Sequence, residues 1–128
     1  MSHPIRIIAG DVLLDAELND SATAQAILAE LPFDYPGTRW GDEIYFSIPV
    51  DATPESAARA EMAVGELAFW PPGNAFCIFF GATPASHEGE PRAASPCNPV
   101  GRILGDAVIL RDVPNRVTIR IEEAPEND

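Results

Sequence analysis

The chain has 128 residues, which fits one domain with a single buried core. Acidic residues outnumber basic ones by 20 to 8, giving a net charge of −12. Nucleic-acid partners, which need basic groups to displace phosphate counterions, and anionic membrane surfaces, which repel such a chain, are both disfavoured.

Hydrophobic residues make up 46% of the chain, enough to predict a folded domain rather than a disordered one. The opening Met1-Ser2-His3-Pro4-Ile5-Arg6 lacks the layout of a signal peptide, and no apolar run approaches a membrane span. A cytoplasmic location is therefore expected. Two cysteines are too few for a disulfide framework. Cys77 sits in an apolar run and reads as a core residue, Cys97 reads as a loop residue, and both are expected to be reduced.

In chain order, Ile5–Ala9 and Val12–Leu18 are apolar runs split by Gly10-Asp11, a hairpin turn signal. Asn19, Asp20 and Ser21 then offer helix N-caps, and Ala22, Ala26, Ile27 and Leu31 recur at helical spacing until Pro32 ends the run. Residues 33–38 read as a loop around Pro36-Gly37. Residues 42–50 alternate, with Ile44, Phe46 and Ile48 on one face and Tyr45 and Ser47 on the other. Met62–Trp70 predicts another strand, and Pro71-Pro72-Gly73-Asn74 predicts a type II turn. The returning run, Ala75–Phe80, is apolar at every position, so both of its faces should be buried.

Residues 82–99 hold four prolines (Pro84, Pro91, Pro96 and Pro99) and no period, and are expected to form a long loop able to fold over a barrel mouth. Val100–Leu104 resumes a strand, and Asp106–Val113 is ambiguous between strand and short helix. Residues 116–122 alternate again, with Val117, Ile119 and Ile121 on one face. The tail, 124–128, should fray. A mainly β fold follows: one domain over 1–128 with its core at about 5–121, closed as an antiparallel β-barrel with one or two short helices.

Five blocks in order, Ala24–Pro32 (AQAILAELP), Arg39–Pro49 (RWGDEIYFSIP), Val64–Pro72 (VGELAFWPP), Cys77–Pro84 (CIFFGATP) and Asn98–Ile103 (NPVGRI), together resemble the small bacterial and archaeal cyclophilin-like family, the domain of unknown function 369 family. The resemblance implies a closed barrel of roughly eight antiparallel strands with one or two short helices, and it brings little chemistry with it. Related cyclophilin-like modules in proteins tied to amide and lactam hydrolysis give a weaker second analogy. True cyclophilins catalyse prolyl isomerisation with an arginine beside a Phe-Gln-Phe-lined groove. In this chain Ile78-Phe79-Phe80 has no glutamine before its two phenylalanines, Gln25 is the only glutamine, and no Phe-His-Arg block is present.

The densest constellation is Trp40-Gly41-Asp42-Glu43-Ile44-Tyr45-Phe46, where aromatic rings stand beside carboxylates. Glu43 and Tyr45 are two apart and share a strand face, so a partly desolvated Glu43 would have the raised pKa that acid–base work needs. Trp70 and Phe80 lie on the two arms of the Pro-Gly hairpin, and Arg102 follows a glycine inside an apolar strand, with Glu43 as its expected partner. Trp40, Glu43, Tyr45, Trp70, Phe80 and Arg102 are therefore the candidate lining of a ligand pocket at one barrel mouth. His87, Glu88 and Glu90 fall in a proline-rich loop without metal-ligand spacing, and no metal or other cofactor is expected. The leading expectation is a barrel that binds a small or peptidic ligand. The alternatives are a weak prolyl isomerase-like or amide-directed enzyme using Glu43 and Arg102, and a structural or oligomeric module with a filled barrel. Because the glutamine and arginine blocks are missing, a proline-peptide assay should find isomerase activity at least about a hundredfold below that of a true cyclophilin; near-cyclophilin turnover would refute this.

Overall fold

The computed structural model describes residues 2–124, so the tail beyond Ala124 lies outside the described residues. Its strands are β1 (His3–Ala9), β2 (Val12–Leu18), β3 (Phe33–Pro36), β4 (Thr38–Arg39), β5 (Glu43–Ser47), β6 (Arg59–Glu61), β7 (Glu66–Trp70), β8 (Ala75–Phe79), β9 (Arg92–Ile103) and β10 (Thr118–Glu123), and one helix, α1 (Ala22–Glu30), follows β2. The path of hydrogen-bonded neighbours runs β3-β10-β1-β2-β9-β7-β8-β5-β4, with β6 attached to β9. Every pairing is antiparallel. No helix among the described residues is long and apolar enough to cross a membrane.

Local chemistry explains the element boundaries. Gly10, at φ 62°, turns the chain between β1 and β2. The Ser21 side chain accepts the Ala24 N–H at 3.1 Å and caps α1, which stops before Pro32. The buried face of α1 is Thr23, Ala24 and Ile27, rotated from the expected stripe, so Ala22 is exposed. The rotation is set by hydrogen bonds, since Glu55 accepts from both the N–H and the hydroxyl of Thr23, and the Asn98 amide donates to the Thr23 hydroxyl at 3.1 Å. Residues 71–73 form a 3-10 turn rather than a type II turn, with Asn74 left-handed at φ 48°. The ambiguous stretch after Asp106 is a six-residue 3-10 helix, Ala107–Asp112, whose first turn is capped by the Asp106 carboxylate.

Two expectations need correction. The stretch 82–99 is not one long loop, because its second half belongs to β9. Pro99 is tolerated there because a register shift between Leu67 and Ala68 relaxes the ladder where it faces Ala68, and Pro96 falls where β6 shifts register against β9 between Arg59 and Glu61. Nor is the sheet closed into a barrel by hydrogen bonds. The end strands of the path, β3 and β4, are consecutive pieces of one segment that leaves β10 and joins β5 at Gly37. A side chain at Gly37 would lie 2.7 Å from Ile44 Cγ2 and 2.8 Å from Ile119 Cγ1, so only glycine lets the chain cross there. The expected loop over 33–38 is thus two short strands.

The concave face of the sheet and the inner face of α1 enclose one main core, including Ile5, Ile7, Leu18, Ile27, Ile44, Phe46, Leu67, Phe69, Phe76, Ile78, Phe80, Ile119 and Ile121. Phe46 stacks on Phe76 with ring centroids 5.7 Å apart, and Phe33 meets both rings edge-on. The opposite face of β7, β8 and β9 carries a second, smaller core of Met62, Ala68, Ala75, Cys77, Phe79, Ala93 and Cys97. Truncating the fully buried Ile119 to alanine should lower the unfolding free energy by about 2–5 kcal/mol. Val64→Ala, at a side chain 56% exposed, should change it by no more than about 0.5 kcal/mol in the same urea titration.

Candidate functional site

The site begins with a turn. Trp40 and Glu43 close the connection between β4 and β5, each N–H donating to the other's carbonyl, at 2.9 and 3.2 Å. Gly41 takes φ +61° there, and a Cβ on it would lie 2.8 Å from the Ala82 carbonyl oxygen. The Asp42 carboxylate pins the turn by accepting from Arg39 at 3.2 Å and from Arg111 at 3.0 Å. As residues directly opposite across an antiparallel pair, Trp40 and Glu43 project to the same face, and Tyr45 follows on that face two residues on.

Register carries this face across the sheet. Glu43 is opposite Phe79, Tyr45 opposite Cys77, Cys77 opposite Ala68, and Trp70 opposite Ala75. The result is a cavity of about 250 Å³ lined by Trp40, Glu43, Tyr45, Trp70, Ala93, Ala94 and Cys97. The ring of Trp70 is held by its indole N–H, which donates to Ser95 Oγ at 2.7 Å. Trp40, Tyr45 and Trp70 are half-buried, so each leaves ring surface for a ligand.

Glu43 is the unusual member. It is only 4% exposed, and its Oε1 has no hydrogen-bond partner. The two carboxyl oxygens exchange by a half-turn of the terminal bond, so an uncommitted acceptor is available to the cavity. Burial pushes the carboxyl from 4.5 up to about 7, against a smaller opposing effect of the Cys77 thiol. The Cys77 thiol is itself pushed well up, first by its hydrogen bond with Cys97, then by burial and by the Glu43 charge. Both cysteines are free and buried.

Four of the six residues expected at the pocket therefore come together: Trp40, Glu43, Tyr45 and Trp70. Phe80 does not. It has the parity of Phe76 and Ile78, is fully buried in the main core, and lies under the Arg39 guanidinium at 5.0 Å. Arg102 does not either. It is 69% exposed and donates to Glu17, its neighbour across β2 and β9, at 2.8 Å. The pairing of Arg102 with Glu43 is thus replaced by a surface pair. Cys97, Ala93 and Ala94 were not foreseen, because small residues in a proline-rich stretch give no sign of a strand. Around the 82–91 loop, the Glu90 carboxylate accepts from the backbone N–H groups of His87 and Glu88 and from Arg92. Among the described residues no three His, Cys, Asp or Glu side chains are grouped to hold a metal ion.

A family model described as Cyclophilin-like matches residues 3–122. The chain belongs to the Cyclophilin-like family. The solution structure of a hypothetical protein from Archaeoglobus fulgidus is similar to this cyclophilin-like chain at 34% identity and a TM-score of 0.80, covering 96% of this chain and 95% of that one. No functionally curated protein matches the sequence.

The buried carboxyl has a thermodynamic signature. The unfolded chain releases the Glu43 proton near 4.5, whereas the folded site holds it up to about 7. The stability due to this group is therefore full below about 4.5 and is lost as pH rises through about 7. Between pH 5 and 8, urea unfolding should show the stability of Glu43→Gln improving relative to wild type by about 2–3 kcal/mol. Parallel pH profiles for the two proteins would show that Glu43 titrates normally.

Proposed function

We propose that this cyclophilin-like domain binds a small, mostly apolar molecule in the cavity between Trp40, Tyr45 and Trp70, anchored by a hydrogen bond to Glu43. The observation that carries the reading is the buried Glu43 oxygen without a partner. A buried acceptor left unpaired costs about 1–3 kcal/mol, so a ligand that supplies a donor recovers free energy the fold leaves unused. The walls supply the apolar contact, and the cavity volume of about 250 Å³ suits a compact molecule better than a long peptide. The sheet positions the carboxyl before any ligand arrives, which reduces the ordering cost of binding.

An amide-directed reaction through Glu43 and Arg102 together is not part of this reading, because Arg102 is engaged with Glu17 outside the cavity. Ligand binding can be tested without knowing the natural ligand. A thermal-shift screen of a fragment library should give stabilising hits, since binding to the folded state alone raises the melting temperature. Those hits should perturb the fluorescence of Trp40 and Trp70, the only two tryptophans. Ala94→Trp, which fills the mouth from an exposed position, should abolish the hits and leave the unfolding midpoint in urea nearly unchanged. Hits that survive this substitution would place binding elsewhere.

A further inference from the structure

We infer that the cavity selects a protonated amine, its ammonium group against Glu43 and its apolar body among Trp40, Tyr45 and Trp70. The inference rests on the reading of the cavity as a ligand site and adds the chemical class of the ligand.

Three observations lead to it. Glu43 is only 4% exposed, and while the Cys77 thiol meets its carboxyl, Oε1 has no donor from the protein. No arginine or histidine lines the cavity, so a charge on Glu43 has no resident counter-ion there. Three aromatic side chains line the cavity, and the negative face of such a ring attracts a cation rather than an anion. The net charge of −12 adds a long-range attraction for cations. A neutral alcohol or amide would satisfy the acceptor, but only a cation also compensates the charge. An N–H-bearing ammonium does both at one atom, through a charge-assisted hydrogen bond.

The groups that face Glu43 are the Cys77 thiol from β8, the Cys97 thiol from β9 and, further along β5, the Tyr45 phenol. β4 brings Trp40, and β7 brings Ala68 and Trp70, while Glu66, on the same face of β7, is paired with Arg59 outside the cavity. Arg39 and Arg111, near the turn, are both bonded to Asp42. Ionising Glu43 for an ammonium partner therefore means releasing its proton, with no competing basic side chain in the cavity.

The test uses benzylamine, whose ammonium stays protonated throughout the range, and its uncharged counterpart benzyl alcohol, titrated calorimetrically at pH 6, 7 and 8. Benzylamine should bind roughly tenfold tighter than benzyl alcohol at pH 8. Its affinity should rise by about tenfold from pH 6 to 8 with net proton release at pH 6, while that of the alcohol stays level or falls. Glu43→Gln, the neutral counterpart of the protonated acid, should erase the preference for the amine and its pH dependence while still binding the alcohol. If that variant does not fold, Trp70→Leu should weaken both probes, and the wild-type pH series still decides the matter. Equal affinities with no pH dependence would overturn the cation inference and leave the cavity a ligand site for neutral molecules. Binding of neither probe would also overturn it, and the fragment screen would then judge the cavity on its own.

Discussion

Every residue of β8 is buried, on both faces, and the rest of the molecule is arranged around that requirement. Phe76 and Ile78 point into the main core, while Ala75, Cys77 and Phe79 point the other way and need a second cover. A sheet in so small a domain has only one enclosed side, so the outer cover must come from the sheet's own chain. The early part of β9, with β6 paired to it, supplies that cover through Ala93, Cys97 and Met62. An exposed β8 would put a long apolar strip into water at a cost of several kcal/mol, on the order of 25 cal/mol per Å².

The cover is incomplete, and the cavity lies where it stops. Between the 92–97 stretch and the Trp40–Glu43 turn, the small side chains of Ala93, Ala94 and Cys97 leave space, and the larger rings of Trp40, Tyr45 and Trp70 stand around it. Glu43 is drawn into this gap by register alone, because the residue opposite it is Phe79. The burial of its Oε1 without a hydrogen-bond partner is a local departure from a well-satisfied interior. Unsatisfied groups of this kind are expensive to keep and concentrate where a protein binds something. The contrast with Glu55 is instructive, since that carboxylate accepts from the Thr23 N–H and hydroxyl and serves the helix rather than a ligand.

The parts of this arrangement that sequence exposed were those governed by local periodicity. Alternation at 42–50 placed Ile44 and Phe46 inward and Glu43 with Tyr45 outward, and the all-apolar run at Ala75–Phe80 announced burial on two sides. Trp40 joined them because Gly41-Asp42 is a short turn. The parts that stayed hidden depend on pairing between distant strands. Arg102 looked costly inside an apolar strand, yet β2 brings Glu17 directly opposite it. Phe80 was misassigned although its parity with Ile78 was available in the sequence. The strand at Arg92–Ile103 is masked by Pro96 and Pro99, which fall at two register shifts that no local pattern reveals. Open closure at Gly37 was equally invisible, since it follows from the contact of Ile44 and Ile119 around one residue.

The account turns on the state of one carboxyl group, and that state can be observed directly. With carbon-13 at the side-chain carboxyls, nuclear magnetic resonance follows the Glu43 resonance through a pH titration of the unliganded protein. The arrangement of β5, β8 and β9 predicts a midpoint at about 7, well above the usual glutamate. A midpoint in the ordinary range, near about 4.3, would mean that water or a protein donor reaches the group and would contradict the central claim.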